Sequence, residues 1–434
     1  MFKTLKGLFT KKNKDLRKKI YFTVAVLSLY AIGASIPIPN VSQDVLNSMA
    51  NENFGFLELV NVMGGGALKH MSIFALGVIP YITASIVMQL LQMDIVPYFK
   101  DLSKQGHTGK QKLNKITRYM GIIFAFIQGY AMSYAFLGNS MTILGQLEVA
   151  FIMTAGTAFL LWLGDQVTQK GYGNGTSLII MAGILISLPS TMETAFTKFL
   201  PGFDSTNVII SGGAKFLLFL LVSILVVIGV VYVEGAKRHV PIQYANKSTA
   251  NLGKETYMPI KINSAGVIPV IFASSLLAVP ITIAKVIKNT GFENFVNSYI
   301  DYTTPVGLIL YVVLIIFFDY FYTFVQMKPD KMAENLRNNG GYVPGIKPGK
   351  DTEDYFSKLL IRLTTSGSLF LAALAACPIL LDMVFGLPES VSIGGTGLLI
   401  VVGVAVETYK QMESSLLSRE YSVTGARKRR ARRA

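Results

Sequence analysis

The residues whose spacing carries information in this sequence are aliphatic. Val78 and Ile82 stand four apart, as do Thr176 and Ile180, so each pair falls on one face of a helix. Ile271 and Ile400 occupy the matching places in two later segments. Gly77–Ser85 and Gly266–Ser274 agree at seven of nine positions, and Gly175–Ile180 and Gly395–Ile400 agree at four of six. What such a set can do is exclude: an apolar constriction blocks ions by dewetting without gripping a passing chain. Groups for covalent or metal chemistry are sparse. His70, His107 and His239 lie far apart, Cys377 stands alone, and there is no Gly-x-x-x-x-Gly-Lys-Ser/Thr to cradle a phosphate. No catalytic residue, metal or cofactor is expected, and nucleotide-driven work has to come from a partner. Asp319 and Glu407 are ionisable groups within apolar stretches. That makes them candidates for a proton relay, although each is also near enough to the inner face to be hydrated or paired.

The elements that must position these residues follow from composition. Of 434 residues, 51% are hydrophobic and 15% charged, with mean hydropathy +0.48. A soluble domain carries about a quarter charged residues, so a soluble enzyme is excluded. Ten stretches lack Asp, Glu, Lys and Arg. They are Ile20–Gln43, Met71–Met93, Tyr119–Leu147, Val149–Gly164, Gly171–Met192, Phe216–Val233, Ile262–Ala284, Tyr302–Phe318, Leu363–Leu381 and Ser390–Val406. Each approaches the roughly 20 residues that a membrane helix needs. The fold class expected is therefore all-α, a multi-pass membrane protein with ten transmembrane helices. Alternating the loops places 35 of the 40 Lys and Arg on one side and only Lys69, Lys198, Lys215, Lys285 and Lys288 on the other. Both termini are then cytoplasmic. The basic start followed by an apolar run reads as a first membrane helix, because no small-residue cleavage site follows.

The two matching pairs each sit five spans apart. An odd repeat enters the membrane from the opposite face, so the plan is two five-helix halves of inverted topology, with the working site near the midplane on Gly- or Pro-interrupted helices. Along the chain this gives a basic N-terminus (1–19) and a first half (20–198). Then come an outer loop, sixth helix and cytoplasmic loop (199–262), the rest of the second half (263–416) with a loop at 327–362, and a basic tail (417–434).

Before span 2 lies an apolar segment too short to cross, containing Phe54, Phe56, Leu57, Leu59, Val60, Asn61 and Met63 and closed by the soft joint Gly64-Gly65-Gly66. It is either an interfacial helix resting on lipid or a re-entrant stopper. Loop 6/7 carries Lys237, Arg238, Lys247 and Lys254. Loop 8/9 has dense turn chemistry around Val343, Pro344, Gly345 and Lys347, which shapes a tip suited to docking. The tail Arg427–Arg433 suits anionic lipid headgroups or RNA phosphates.

Several motifs together are specific: Ile36-Pro37-Ile38-Pro39, Gly65-Gly66-Ala67-Leu68, Ser72–Gly77, Trp162-Leu163-Gly164-Asp165-Gln166, Gly173-Asn174-Gly175, Asn263–Pro269, Val343-Pro344-Gly345-Ile346 and Gly394-Gly395-Thr396. On these the sequence resembles the SecY/Sec61-alpha family of protein-conducting channels over essentially its whole length. The resemblance implies a ten-helix clamshell with an hourglass pore, passing unfolded secretory chains across the plasma membrane and releasing apolar segments sideways between spans 2 and 7. It puts the pore ring on Val78, Ile82, Thr176, Ile180, Ile271 and Ile400, the plug on Phe54–Gly66, and partner-facing tips on loops 6/7 and 8/9. The partners implied are the small membrane subunits SecE and SecG, the motor ATPase SecA, the ribosome, secretory and membrane-protein substrates, and anionic lipids. Thr176 stands where the family's ring is usually aliphatic. Lys347 stands where the tip usually has Arg, which keeps the charge and loses the planar fork. The rival plan is an inverted-repeat secondary transporter, which would set polar groups where this sequence sets aliphatics.

Overall fold

The computed structural model describes residues 14–39, 41, 61–92, 96–138, 141–200, 206–244, 256–287, 289–301, 304–385 and 397–416. The helices are α1 (Lys14–Ala34), α2 (Ile79–Leu90), α3 (Pro97–Lys104), α4 (Gly106–Leu137), α5 (Ile143–Lys170), α6 (Gly175–Phe199) and α7 (Thr206–Gly235). They continue with α8 (Ile268–Ile287), α9 (Thr290–Tyr299), α10 (Pro305–Met327), α11 (Pro329–Asn338), α12 (Lys350–Phe385) and α13 (397–416). Each of the ten expected spans finds its helix, in order α1, α2, α4, α5, α6, α7, α8, α10, α12 and α13.

The boundaries differ from those read off charge-free stretches. Most helices run further, because Lys, Asp and Glu are tolerated where a helix leaves the hydrocarbon: α12 takes in Lys350 to Arg362 before its apolar part. Among the described helices, six are long and apolar enough to cross a membrane, while α2 and α8 are shorter apolar helices. At 12 residues α2 is about 18 Å long. The stretch expected to complete it, Met71–Val78, is not helical. Left-handed Gly77 (φ 55°) and the ring of Pro80, which cannot continue a helix backwards, set the start at Ile79. Irregular backbone in a membrane protein has to be covered by protein, and Ala67, Leu68, Met71, Phe74, Ala75, Leu76 and Val78 are all buried. Its amides are paired too: Ile38 N–H donates to Met71 O (2.9 Å) and Ile73 N–H to Ile36 O (3.1 Å).

The chain forms two compact units. The first comprises residues 1–195, 278–293 and 389–434, the second 196–277 and 294–388. In the first, α4 buries Gly109, Leu113, Thr117, Gly121, Ala125 and Gly129, one every fourth residue. Small side chains along one ridge let backbones approach where lipid offers no hydrophobic drive; Gly129 thus comes up to Ala150 of α5 and Gly121 to Tyr81 of α2. Between α4 and α5, Arg118 pairs with Asp165.

In the second unit α10 packs on α12, and Phe272 of α8 meets Phe318 and Tyr322 edge-on at 5.8 and 6.0 Å. This unit also carries what an all-α expectation lacks. Loops 6/7 and 8/9 pair as one antiparallel sheet of β1 (Lys237–Tyr244), β2 (Thr256–Lys261) and β3 (Gly341–Tyr342), in the order β2-β1-β3. Val240 and Ile242 alternate inward on β1 and share a core with Ile260, Ala333, Leu336, Val343, Phe356 and Leu360.

Candidate functional site: repeat-paired positions at four helix starts

The six positions singled out by the repeat, five aliphatic and one threonine, fall within the first two turns of α2, α6, α8 and α13 or at the N-cap. Val78 is the N-cap of α2 and Ile82 its fourth residue. Ile271 is the fourth residue of α8 and Ile400 the fourth of α13. Thr176 and Ile180 are the second and sixth of α6. The two copies of the Gly-Val-Ile-Pro motif fold alike, with Gly77 at φ 55° and Gly266 at φ 65°, each followed after one residue by the helix start. A Cβ at either glycine would touch nothing within 4 Å. The requirement is therefore the left-handed backbone itself, and not space.

The turn is held differently in each copy. Thr157 of α5 donates its hydroxyl to Gly77 O (3.1 Å). In the second, Asn263 Nδ2 donates to Gly266 O (3.0 Å) and to the buried Glu234 carboxylate (2.9 Å), while Asn263 Oδ1 accepts from Gly266 N–H (2.9 Å).

Val78, Ile82, Ile180, Ile271 and Ile400 are all buried, between 2% and 6% exposed, and Thr176 is partly exposed. Five of the six lie in the first unit and Ile271 in the second. The first unit also holds the end of the short apolar segment. Asn61, Val62 and Met63 are buried, with Tyr30, Gly183 and Ser187 against them; Phe54 to Val60 lie outside the described residues.

Of the loop residues, Lys237, Arg238, Pro344, Gly345 and Lys347 are exposed, while Lys247 and Lys254 lie outside the described residues. Val343 is not a surface residue: it is 3% exposed and packed in the sheet core, so it anchors the tip from beneath. Thr352 steadies the tip by donating to Lys347 O (2.8 Å), and Tyr342 OH ties it to β1 through Gln243 Oε1 (2.8 Å). Glu407 is exposed, whereas Asp319 is 1% exposed with Oδ1 unpaired among the described residues. No group of three His, Cys, Asp or Glu is placed to hold a metal among the described residues.

Sequence reasoning missed Tyr30, Ser187 and Thr157, polar tips in apolar helices whose partners are distant backbone carbonyls. Gly183 had a signal, since a glycine inside a helical pattern marks close approach.

The SecY family model matches residues 72–409. A protein translocase subunit SecY of Staphylococcus epidermidis is 48% identical, over 98% of this chain and 100% of its own. The chain belongs to the SecY family. Its fold agrees with that of a solved protein-conducting channel at TM-score 0.65 and 21% identity, covering 92% of each chain. It agrees likewise with canine Sec61, solved in a ribosome–channel complex from the endoplasmic reticulum, at TM-score 0.61 and 20% identity over 92% of each.

Proposed function

We propose that this chain is the central, pore-forming subunit of a protein translocase in the bacterial plasma membrane, conducting unfolded polypeptide across it and releasing hydrophobic segments into lipid. What supports this reading is a set of positions at helix starts. Five buried aliphatic side chains and one threonine stand at the starts of four helices, paired by an internal repeat, in a chain of the SecY family. Apolar walls exclude ions and fit varied side chains, which a general polypeptide conduit needs. A solute transporter would present polar or ionisable groups there.

Val78, Ile82, Thr176, Ile180, Ile271 and Ile400 line the constriction in this reading, and the Phe54–Gly66 segment is a plug that closes its outer side. The two inverted halves open as a clamshell. Loops 6/7 and 8/9 and both termini face the cytoplasm, as the distribution of Lys and Arg supports. The loops' shared sheet, with Lys237 and Arg238 exposed on β1 and Lys347 exposed on the turn after β3, is a rigid docking platform for the motor ATPase SecA and the ribosome. SecE and SecG are its membrane partners, and the basic tail meets anionic lipid.

The test is ion conductance of the purified complex in planar bilayers. Replacing Ile82 and Ile271 together by Ser should raise the resting conductance, because two hydroxyls give water a foothold in the constriction. No added conductance would reject the collar as the seal.

A further inference from the structure

Read as sequence, Gly64-Gly65-Gly66 is a joint on which a plug could swing. The structure holds this backbone from several sides. Tyr30 of α1 is 1% exposed, and its hydroxyl donates to Gly64 O at 3.0 Å. The Tyr30 ring is itself fixed by stacking on Phe74, centroids 6.0 Å apart. From α6, the Ser187 hydroxyl lies 3.3 Å from Val62 O and 3.0 Å from Ile184 O, so it is shared between the stem and its own helix.

Between those two bonds α6 presents bare backbone. A Cβ on Gly183 would stand 2.0 Å from Met63 O, and one on Gly65 3.3 Å from the backbone of Gly183. Gly397 of α13 leaves room in the same way, since a Cβ there would stand 2.9 Å from Ile184 and 3.8 Å from Val62. The stem also closes on itself, Gly66 N–H donating to Asn61 O (2.9 Å) and Lys69 N–H to Asn61 Oδ1 (3.1 Å).

We infer that Tyr30 and Ser187 are positioning residues that clasp the root of the plug, residues Asn61 to Gly66, against α1, α6 and α13. The glycines serve close approach and left-handed turns at Gly65 (φ 74°) and Gly66 (φ 82°) rather than softness. In the closed channel the root stays docked, and the Tyr30 hydroxyl governs how often it lets go. This inference rests on the reading of Phe54–Gly66 as the plug.

Tyr30→Phe is the decisive variant, because it keeps the ring and its stack on Phe74 and removes only the hydroxyl. In the full channel complex, with Cys377→Ser as background, a single Cys at Val62 reports release of the root through its rate of reaction with a small membrane-permeant maleimide. A single Cys at Leu160, fully buried on α5, reports general loosening. Stranding a buried carbonyl should raise the Val62→Cys rate about tenfold, with the Leu160→Cys rate unchanged and resting conductance in planar bilayers increased. An unchanged Val62→Cys rate overturns the clasp, as does an equal rise at both cysteines, which would make Tyr30 merely structural. A rise at Val62→Cys alone without added conductance upholds the clasp and rejects the plug.

Discussion

Gly183→Ala turns the closest helix-to-stem contact into a quantitative test. In an exposed helix this change stabilises by about 1 kcal/mol, because alanine is the better helix former. Here the added Cβ would lie 2.0 Å from Met63 O and 2.9 Å from the Tyr30 hydroxyl. An ordinary contact is about 3.4 Å, so something has to retreat by about 1.4 Å. The α6 backbone is held by its own ladder, which leaves the stem to move. Displacement on that scale carries Gly64 O away from Tyr30 (3.0 Å) and Val62 O away from Ser187 (3.3 Å), past hydrogen-bonding range. Gly64 O, buried and left unpaired, costs about 1–3 kcal/mol, and Val62 O, which keeps the Gly65 N–H at 3.1 Å, loses a second bond worth about 0.5–1.5 kcal/mol.

Set against the propensity gain of about 1 kcal/mol, the net effect is about 0.5–3.5 kcal/mol against this arrangement. The expected phenotype is a lowered midpoint of thermal aggregation in detergent together with an increased resting conductance, and Gly183→Ser should be as severe. A Gly183→Ala complex that melts at or above the parent temperature with unaltered conductance would refute the reasoning, since it would show that the stem is not seated on α6.

Gly77→Ala and Gly266→Ala should each cost roughly 1–2 kcal/mol of stability by chemical denaturation in detergent, and cost the same, because both glycines are left-handed and neither Cβ would meet a neighbour. A large difference between them would separate the two repeat copies. Lys347→Glu should weaken binding of the motor ATPase or ribosome, with a salt dependence that the parent shows and the variant loses, while membrane insertion stays intact. Affinity that responds to neither charge nor salt would remove loop 8/9 from the docking surface. Single cysteines at Asn53 and Gly345, in the Cys377→Ser background, should react with an impermeant maleimide in intact cells only at Asn53→Cys. Labelling at Gly345→Cys would reverse or break the ten-span topology.

What could be read without coordinates was set by the solvent. Hydrocarbon accepts no unpaired backbone group and few charges, so the number of spans, their order and the repeat that relates them are written locally as charge-free stretches and shared Gly-Val-Ile-Pro and Gly-Thr signatures. The left-handed turn before α2 and α8 is equally local, because only glycine adopts it freely and the following proline permits a helix to begin but not to extend backwards. That is why the places of Val78, Ile82 and Ile271 at helix starts were legible: they are counted from those turns. The rest depended on which distant parts meet. Helix ends ran past the charge-free limits because a long side chain can leave the membrane where its backbone remains helical. Val343 reads as a surface turn residue until β1, α11 and α12 close over it. Tyr30 looks like any aromatic in an apolar helix, and its hydroxyl acquires a role only when the fold brings a carbonyl 34 residues away to within 3.0 Å. Hydrogen bonds between a side chain and a remote backbone leave no periodic trace in the sequence, and they are what holds the Val62–Gly64 backbone.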